Sequence, residues 1–290
     1  MDPLTPQQTD AYLARLGVSK KEPFTADLDS LRTLIEAHLQ RVTFENVDVL
    51  LGRPIALDVN SLFAKVVQRG RGGYCFELNS LFARLLQSLG YRLRLRMARV
   101  RWGLPPEAPI TLQQHLVLIV DIPEGEHLVD VGFGAANPYL PLPLNETQST
   151  DHPYCLRQIG AEADCEPGTL ELCVRGRDEW IPIYRIEPRD QRWRDCVPLN
   201  WYTCTNPESV MRRLLMMART DGEAWLSLFN GRYRRRLRVC GHDAVEKRDI
   251  KDVDELLSLF QTEFRLRLCP EDLEPLRNRL ATILLEELRF

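Results

Sequence analysis

Apolar side chains recur at helical spacing through the first ninety or so residues and at strand spacing through much of the next hundred, and this change of period divides the chain. Leu28, Leu31, Leu34, Ile35, Leu39 and Val42 share one helical face. Asp58 stands ahead of Leu62-Phe63-Ala64-Lys65-Val66-Val67 as a side-chain cap. Leu78, Leu81, Phe82, Leu85, Leu86 and Leu89 fall at i, i+3, i+4, i+7, i+8 and i+11, and Gly90 supplies a stop. From Tyr91 the pattern alternates: Tyr91, Leu93, Leu95 and Met97 interleave with Arg92, Arg94 and Arg96, a half-buried strand. The run Leu116-Val117-Leu118-Ile119-Val120 predicts a buried strand, and the turn Asp121 to Gly125 returns it as Leu128-Val129-Asp130-Val131, a hairpin. Residues 91–205 read as strand-rich with many prolines. Beyond Pro207 the pattern predicts a helix over about 208–219, a hairpin at Asn230-Gly231, and helices over about 253–264 and 271–288. Three regions follow, 1–90, 91–205 and 206–290, with no internal repeat or long linker.

This framework singles out one thiol. Cys75 follows Arg71-Gly72-Gly73-Tyr74 and opens the most strongly patterned helix. Unpaired N–H groups and the positive end of the helix dipole favour a thiolate there, and the glycines allow a substrate close to the backbone. A nucleophile needs a base, and His115 stands at the head of the 116–120 strand. Antiparallel pairing about Pro123 to Gly125 brings Asp130 within a residue or two of the cross-strand neighbour of His115. An acid between Val129 and Val131 requires a partner if buried. Cys75, His115 and Asp130 thus fit the roles of nucleophile, base and orienter.

The segment Arg71-Gly72-Gly73-Tyr74-Cys75-Phe76-Glu77-Leu78-Asn79, then His115, then Asp130-Val131-Gly132-Phe133-Gly134 resembles the signature of the arylamine N-acetyltransferases. The resemblance extends to Tyr12-Leu13-Ala14-Arg15-Leu16-Gly17, Phe44-Glu45-Asn46-Val47-Asp48, Asn200-Trp201-Tyr202 and Pro207-Glu208-Ser209, and fades after about Arg219. Thr43 replaces a usual proline, Ala135 a frequent glycine, and Glu208 a small hydroxyl residue that often contacts coenzyme A. The resemblance implies an α+β fold of three parts: an N-terminal helical bundle carrying the nucleophile, a central β-barrel carrying His115 and Asp130, and a C-terminal α/β lid around a cysteine-protease-like core. It also implies ping-pong acetyl transfer from acetyl-CoA through a Cys75 thioester to an arylamine, hydrazine or N-hydroxyarylamine. Thr111, Tyr202 and Ser209 become candidates for coenzyme A contacts, Phe133 and Gly134 for the acceptor side, and Glu45 with Arg71 for a buried structural ion pair. Phe133 fits core packing equally well. An amide synthase of the same fold, or a peptidase or transglutaminase-like enzyme, uses a similar constellation.

Composition adds bounds. A chain of 290 residues, 44% hydrophobic and 27% charged, has the makeup of a globular protein, and no apolar run is long enough to span a bilayer. The start Met1-Asp2-Pro3-Leu4 has neither a basic nor an apolar leader region, so a cytosolic protein is expected. Cysteines 75, 155, 165, 173, 196, 204, 240 and 269 form no CxxC pair and no metal-ligand spacing with histidine; reduced thiols and no metal are expected. A formal charge of −3 speaks against nucleic acid as a partner. The cationic clusters Arg92/Arg94/Arg96 and Arg232 to Arg238 read either as solvated strand faces or as contacts for nucleotide phosphates. His38 reads as structural on a helix face, and His127, His152 and His242 as solvated residues in turns.

Overall fold

The computed structural model describes residues 1–19, 24–145, 153–160, 165–176, 179–237 and 245–287. Its first helix, α1 (Pro6–Leu16), begins at a reciprocal cap between Thr5 and Gln8 and ends at Gly17, whose φ of 68° is open to glycine. Asp27 caps α2 (Leu28–Arg41) through the Ser30 N–H at 2.9 Å. A two-residue strand β1 (Phe44–Glu45) and a turn of helix α3 (Val47–Leu50) follow. Asp58 caps α4 (Val59–Phe63), as its position predicts, and the helix widens into a π-turn over Ala64–Gln68. The patterned helix is α5 (Cys75–Ser88), in which every residue from Cys75 to Leu86 is buried. The apolar faces of α1, α2 and α5 meet in one core that includes Tyr12, Leu31, Ile35, Phe82 and Leu85.

Strands β2 (Arg92–Val100), β3 (Gln113–Ile122), β4 (Gly125–Val129), β5 (Leu142–Pro143), β6 (Tyr154–Gln158), β7 (Leu170–Arg175) and β8 (Trp180–Gln191) form an antiparallel sheet in the order β5-β4-β3-β2-β8-β7-β6, nearly closed into a barrel. The β3–β4 hairpin turns where the sequence predicts, with Ile122 opposite Gly125 and Leu118 opposite Val129. His127 departs from expectation: it lies in β4, 4% exposed, with Nδ1 at 3.1 Å from the Gly125 carbonyl oxygen. Alternation decides its fate, because it lies on the same strand face as the fully buried Val129, two residues on.

The strand-rich region ends before residue 205, since Trp193–Thr205 is a helix, α6. Its buried positions, Cys196, Asn200, Thr203 and Cys204, keep helical spacing, but Pro198 inside the helix obscures the pattern. A second difference concerns 208–219. Helix α7 covers only Val210–Arg213, and Met216–Asp221 is a strand, β9. The Asn46 amide ends the helix by donating to the carbonyls of Met211 and Leu214 at 2.8 and 2.7 Å while accepting from the Met216 N–H at 2.9 Å. Tertiary pairing then overrides local propensity. β9 joins β10 (Ala224–Phe229), β11 (Arg232–Leu237) and β12 (Val245–Asp249) in a second sheet, ordered β1-β9-β10-β11-β12, with α8 (Val253–Thr262) and α9 (Pro270–Glu287) behind it. The Asn230-Gly231 hairpin is present, with Asn230 at φ 51°. Seven cysteines are free thiols; Cys240, Arg238, His152, His242 and Leu288 lie outside the described residues.

Candidate active site

Cys75 occupies the first turn of α5, where main-chain N–H groups lack intrahelical acceptors. Tyr74 precedes it in extended conformation, and the Glu77 carboxylate reaches back to the Tyr74 N–H at 3.1 Å, fixing the entry angle. The glycines ahead of the thiol are needed for space: a Cβ on Gly72 would lie 1.8 Å from the Thr43 carbonyl oxygen, and one on Gly73 2.7 Å from the Glu77 carboxylate. β1 runs alongside, with the Glu45 N–H donating to the Gly73 carbonyl at 2.9 Å and the Gly73 N–H to the Thr43 carbonyl at 3.3 Å.

His115 reaches the thiol from β3. Ala98 faces His115 and Arg99 faces Gln113, so Gln114 is the extra residue of a bulge. The Gln114 carbonyl accepts from the Cys75 thiol at 3.6 Å, which sets the thiol against the residue next to His115, and the thiol favours the protonated imidazole. His115 Nε2 lies 2.7 Å from Asp130 Oδ2, which leaves Nδ1 as the nitrogen for sulfur. All three side chains are buried, Cys75 and His115 at 3% exposure and Asp130 at 1%. Burial alone would drive the imidazole toward its neutral form, but the Asp130 charge and hydrogen bond, with the thiol, lift it to about 10. Burial works against the Asp130 carboxylate, yet the His115 charge and the bonds it accepts hold it below the ordinary carboxylate range. The site therefore holds a proton on imidazole close to a buried thiol.

Asp130 is held from four sides. Its Oδ1 accepts from Asn79 Nδ2 and the Gly132 N–H, each at 2.8 Å, and its Oδ2 from the Tyr184 hydroxyl at 3.0 Å as well as from His115. Burial and the adjacent Asp130 keep the Tyr184 phenol protonated, so it donates. Asn79 stands one helical turn after Cys75; it also donates to the Leu116 carbonyl at 2.7 Å and accepts from the Val131 N–H at 2.9 Å, joining α5 to β3 and to the segment that follows β4. Gly132 packs on the thiol residue itself, because a Cβ there would lie 2.8 Å from Cys75 Cα. Asn79 and Gly132 carry a signal in the sequence, being inside the two motifs. Tyr184 carries none: it comes from β8, and only the barrel brings it near.

Phe133 is partly buried, its ring centroid 5.1 Å from that of His115 and 5.2 Å from that of Tyr184. Gly134 has φ 96° and lies against the Phe44 ring, 3.1 Å from where its Cβ would be. Glu45 and Arg71 form the expected buried pair at 2.8 Å, within a larger cluster. Lys65 bridges Asp48 and Glu77, both at 2.7 Å, and Arg53 joins Asp48 at 3.2 Å to Asp272 of α9 at 2.6 Å. Burial raises Asp48, but Lys65 and Arg71 overcome it and bring the carboxyl down to about 2. For Glu77 burial prevails and its carboxyl is raised. Thr111 sits three residues before the bulge, its hydroxyl donating to the Val100 carbonyl at 3.0 Å. Ser209 is buried at the entry to α7, and Tyr202 is exposed on α6. Thr43 gives its hydroxyl to the Phe264 carbonyl, and Glu208 pairs with Arg213 at 3.4 Å.

Comparison with known proteins places this geometry in company. Residues 27–273 match the N-acetyltransferase family. An arylamine N-acetyltransferase / N-hydroxyarylamine O-acetyltransferase from Salmonella typhimurium is 37% identical over 244 residues, covering 82% of each chain. An arylamine N-acetyltransferase from Mycolicibacterium smegmatis is 39% identical over 204 residues, 68% of this chain and 71% of that protein. The solved structure of Mycobacterium marinum arylamine N-acetyltransferase in complex with CoA superposes with a TM-score of 0.82 at 32% identity, covering 95% of this chain and 98% of that one.

Proposed function

This chain belongs to the arylamine N-acetyltransferase family, acyltransferases by activity, and we propose that Cys75, His115 and Asp130 carry its chemistry as a ping-pong reaction. The Cys75 sulfur attacks the thioester carbon of acetyl-CoA; the carbon–sulfur bond to coenzyme A breaks, and the leaving thiolate takes the proton held on His115. An arylamine, hydrazine or N-hydroxyarylamine then attacks the acetyl-cysteine, His115 accepts the proton of the attacking group, and the Cys75 sulfur leaves. Asp130 fixes the imidazole tautomer and supports its charge in both halves. N–H groups at the head of α5 are the candidate donors to the oxyanion. Phe133, beside the imidazole, supplies an aromatic face for the acceptor and excludes water from the thioester.

For the donor's phosphates we infer the basic edge of the second sheet. Phe44, Ala218, Ser227, Arg234 and Lys247 lie opposite one another in successive strands, one row running from the strand beside Gly73 out to exposed cations. The exposed cations at the end of that row, Arg234 and Lys247, meet the anionic end of the donor.

The single observation that carries the reading is a buried imidazole 2.7 Å from a carboxylate, next in sequence to the residue whose carbonyl meets a helix-entry thiol. Intact-protein mass after exposure to acetyl-CoA tests it. One acetyl group should be added to the native chain and none to Cys75→Ala or Cys75→Ser, both of which should stay folded; acetylation that persists in Cys75→Ala ends the assignment.

A further inference from the structure

The segment 101–112, which joins β2 to β3, exposes Trp102, Leu104, Ile110 and Leu112, between 41% and 55% of each. It also contains Pro105, Pro106 and Pro109, which have no main-chain N–H with which to pin it. The pinning comes from inside. The Arg101 side chain turns into its own loop, the residue being 4% exposed, and its guanidinium donates to the carbonyls of Pro105 at 2.9 Å, Pro106 at 3.0 Å, Ala108 at 3.0 Å and Pro109 at 3.3 Å. The main-chain N–H groups of Arg101 and Trp102 both donate to the Ile183 carbonyl, at 2.8 and 3.0 Å, next to Tyr184. At the other end Thr111 closes on Val100, and Arg99 donates to the Thr111 carbonyl.

Location gives this clamp its meaning. The segment leaves the barrel just after Ala98, the cross-strand partner of His115, and returns just before the Gln114 bulge that meets the Cys75 thiol. With four carbonyls drawn onto one buried cation, the loop presents its apolar side chains outward, at the end of the barrel that carries His115 and the Gln114 bulge. An aromatic and aliphatic rim suits the distal ring of an arylamine and offers nothing to a polyphosphate.

We propose that Arg101 is a positioning residue for acceptor selection: it holds the rim of Trp102, Leu104, Ile110 and Leu112 in place, and that rim favours amines with extended apolar rings. The proposal rests on the transferase reading above. Arginine is required because its planar fork carries five donors in fixed directions, whereas an ammonium carries three on a flexible stem and cannot span four diverging carbonyls.

The test compares native chain, Arg101→Lys and Arg101→Gln against a biaryl amine and a small hydrazine, with single-turnover acetylation of Cys75 followed separately. In both variants kcat/KM for the biaryl amine should fall about tenfold or more, and that for the hydrazine about threefold or less, because only the larger acceptor reaches the rim. Acetylation of Cys75 should fall less than biaryl transfer, and protease cleavage within 102–112 should quicken. Equal losses for both acceptors, or native selectivity in both variants, would overturn the proposal. Should the Arg101 variants fail to fold, Trp102→Ser and Leu112→Ser decide: both positions are exposed, so stability should hold while biaryl preference drops, and unchanged preference overturns the proposal. A native chain that takes no acetyl group would instead remove the transferase reading.

Discussion

Around His115, Asn79 bonds to Asp130, Phe133 packs beside the ring and Tyr184 does both, and two substitutions separate the contributions of acid and ring face. Asp130→Asn should lower turnover steeply, toward but short of the roughly ten-thousandfold seen when a serine triad loses its acid, since a thiol is the easier group to ionise. It should also change the pH dependence of folding. His115 titrates at about 10 in the folded chain against an ordinary 6.5, so its pairing stabilises fully below pH 6.5 and the contribution is lost as pH rises through 10. In Asp130→Asn only the thiol is left to oppose burial, and that alkaline loss should shrink in denaturant midpoints; a slope unchanged from the native chain would remove Asp130 as the source. Phe133→Ala should weaken transfer to arylamines more than acetylation of Cys75, as stopped-flow acetylation and steady-state turnover would report. Equal losses would make Phe133 a fold or donor-side residue. Cys75, His115 and Asp130 could be read from the sequence because each sits at a position with its own local meaning: helix entry, strand head and an acid inside an apolar strand. Tyr184 could not, since nothing around it in the sequence marks a phenol aimed at a carboxylate more than fifty residues earlier in the chain.

Elements whose apolar spacing is strong, α2, α5 and the β3–β4 hairpin, were legible in the same way. Those shaped by a remote partner were not: β9 exists because Asn46 stops α7 and β1 offers a free edge. The α1–α2–α5 bundle contains a polar group that its packing isolates. His38 is fully buried between Tyr12 and Phe82, ring centroids 6.1 and 5.2 Å away, and among the described residues neither ring nitrogen has a partner. Burial, with help from the Arg15 charge, lowers it to about 3. The unfolded chain takes up that proton near 6.5, so the contribution to stability is present above pH 6.5 and is lost as pH falls toward 3. His38→Leu should flatten the decline in unfolding free energy between about pH 6.5 and pH 5, above the range where carboxylates titrate. A decline as steep as in the native chain would show that other groups set the acid limb.

Across the whole molecule, Glu45, Asp48, Arg53, Lys65, Glu77, Arg71 and Asp272 form one chain of charges from α5 to α9. Removing one member leaves a buried charge unanswered. Lys65→Met should cost about 3–5 kcal/mol, and adding Glu77→Gln, which keeps an acceptor for the Tyr74 N–H, should recover much of it; urea unfolding of both variants measures the difference, and simple additivity would deny the coupling. β1 extends the same linkage to the backbone. Its two residues pair with Ala218 and Met217 and also grip Gly73, two positions before the thiol. During biosynthesis those partners emerge only after Cys75, His115 and Asp130 have all left the ribosome. A nascent chain therefore holds Cys75, His115 and Asp130 before β9 exists to pair with β1, so the main-chain support beside Gly73 is completed last.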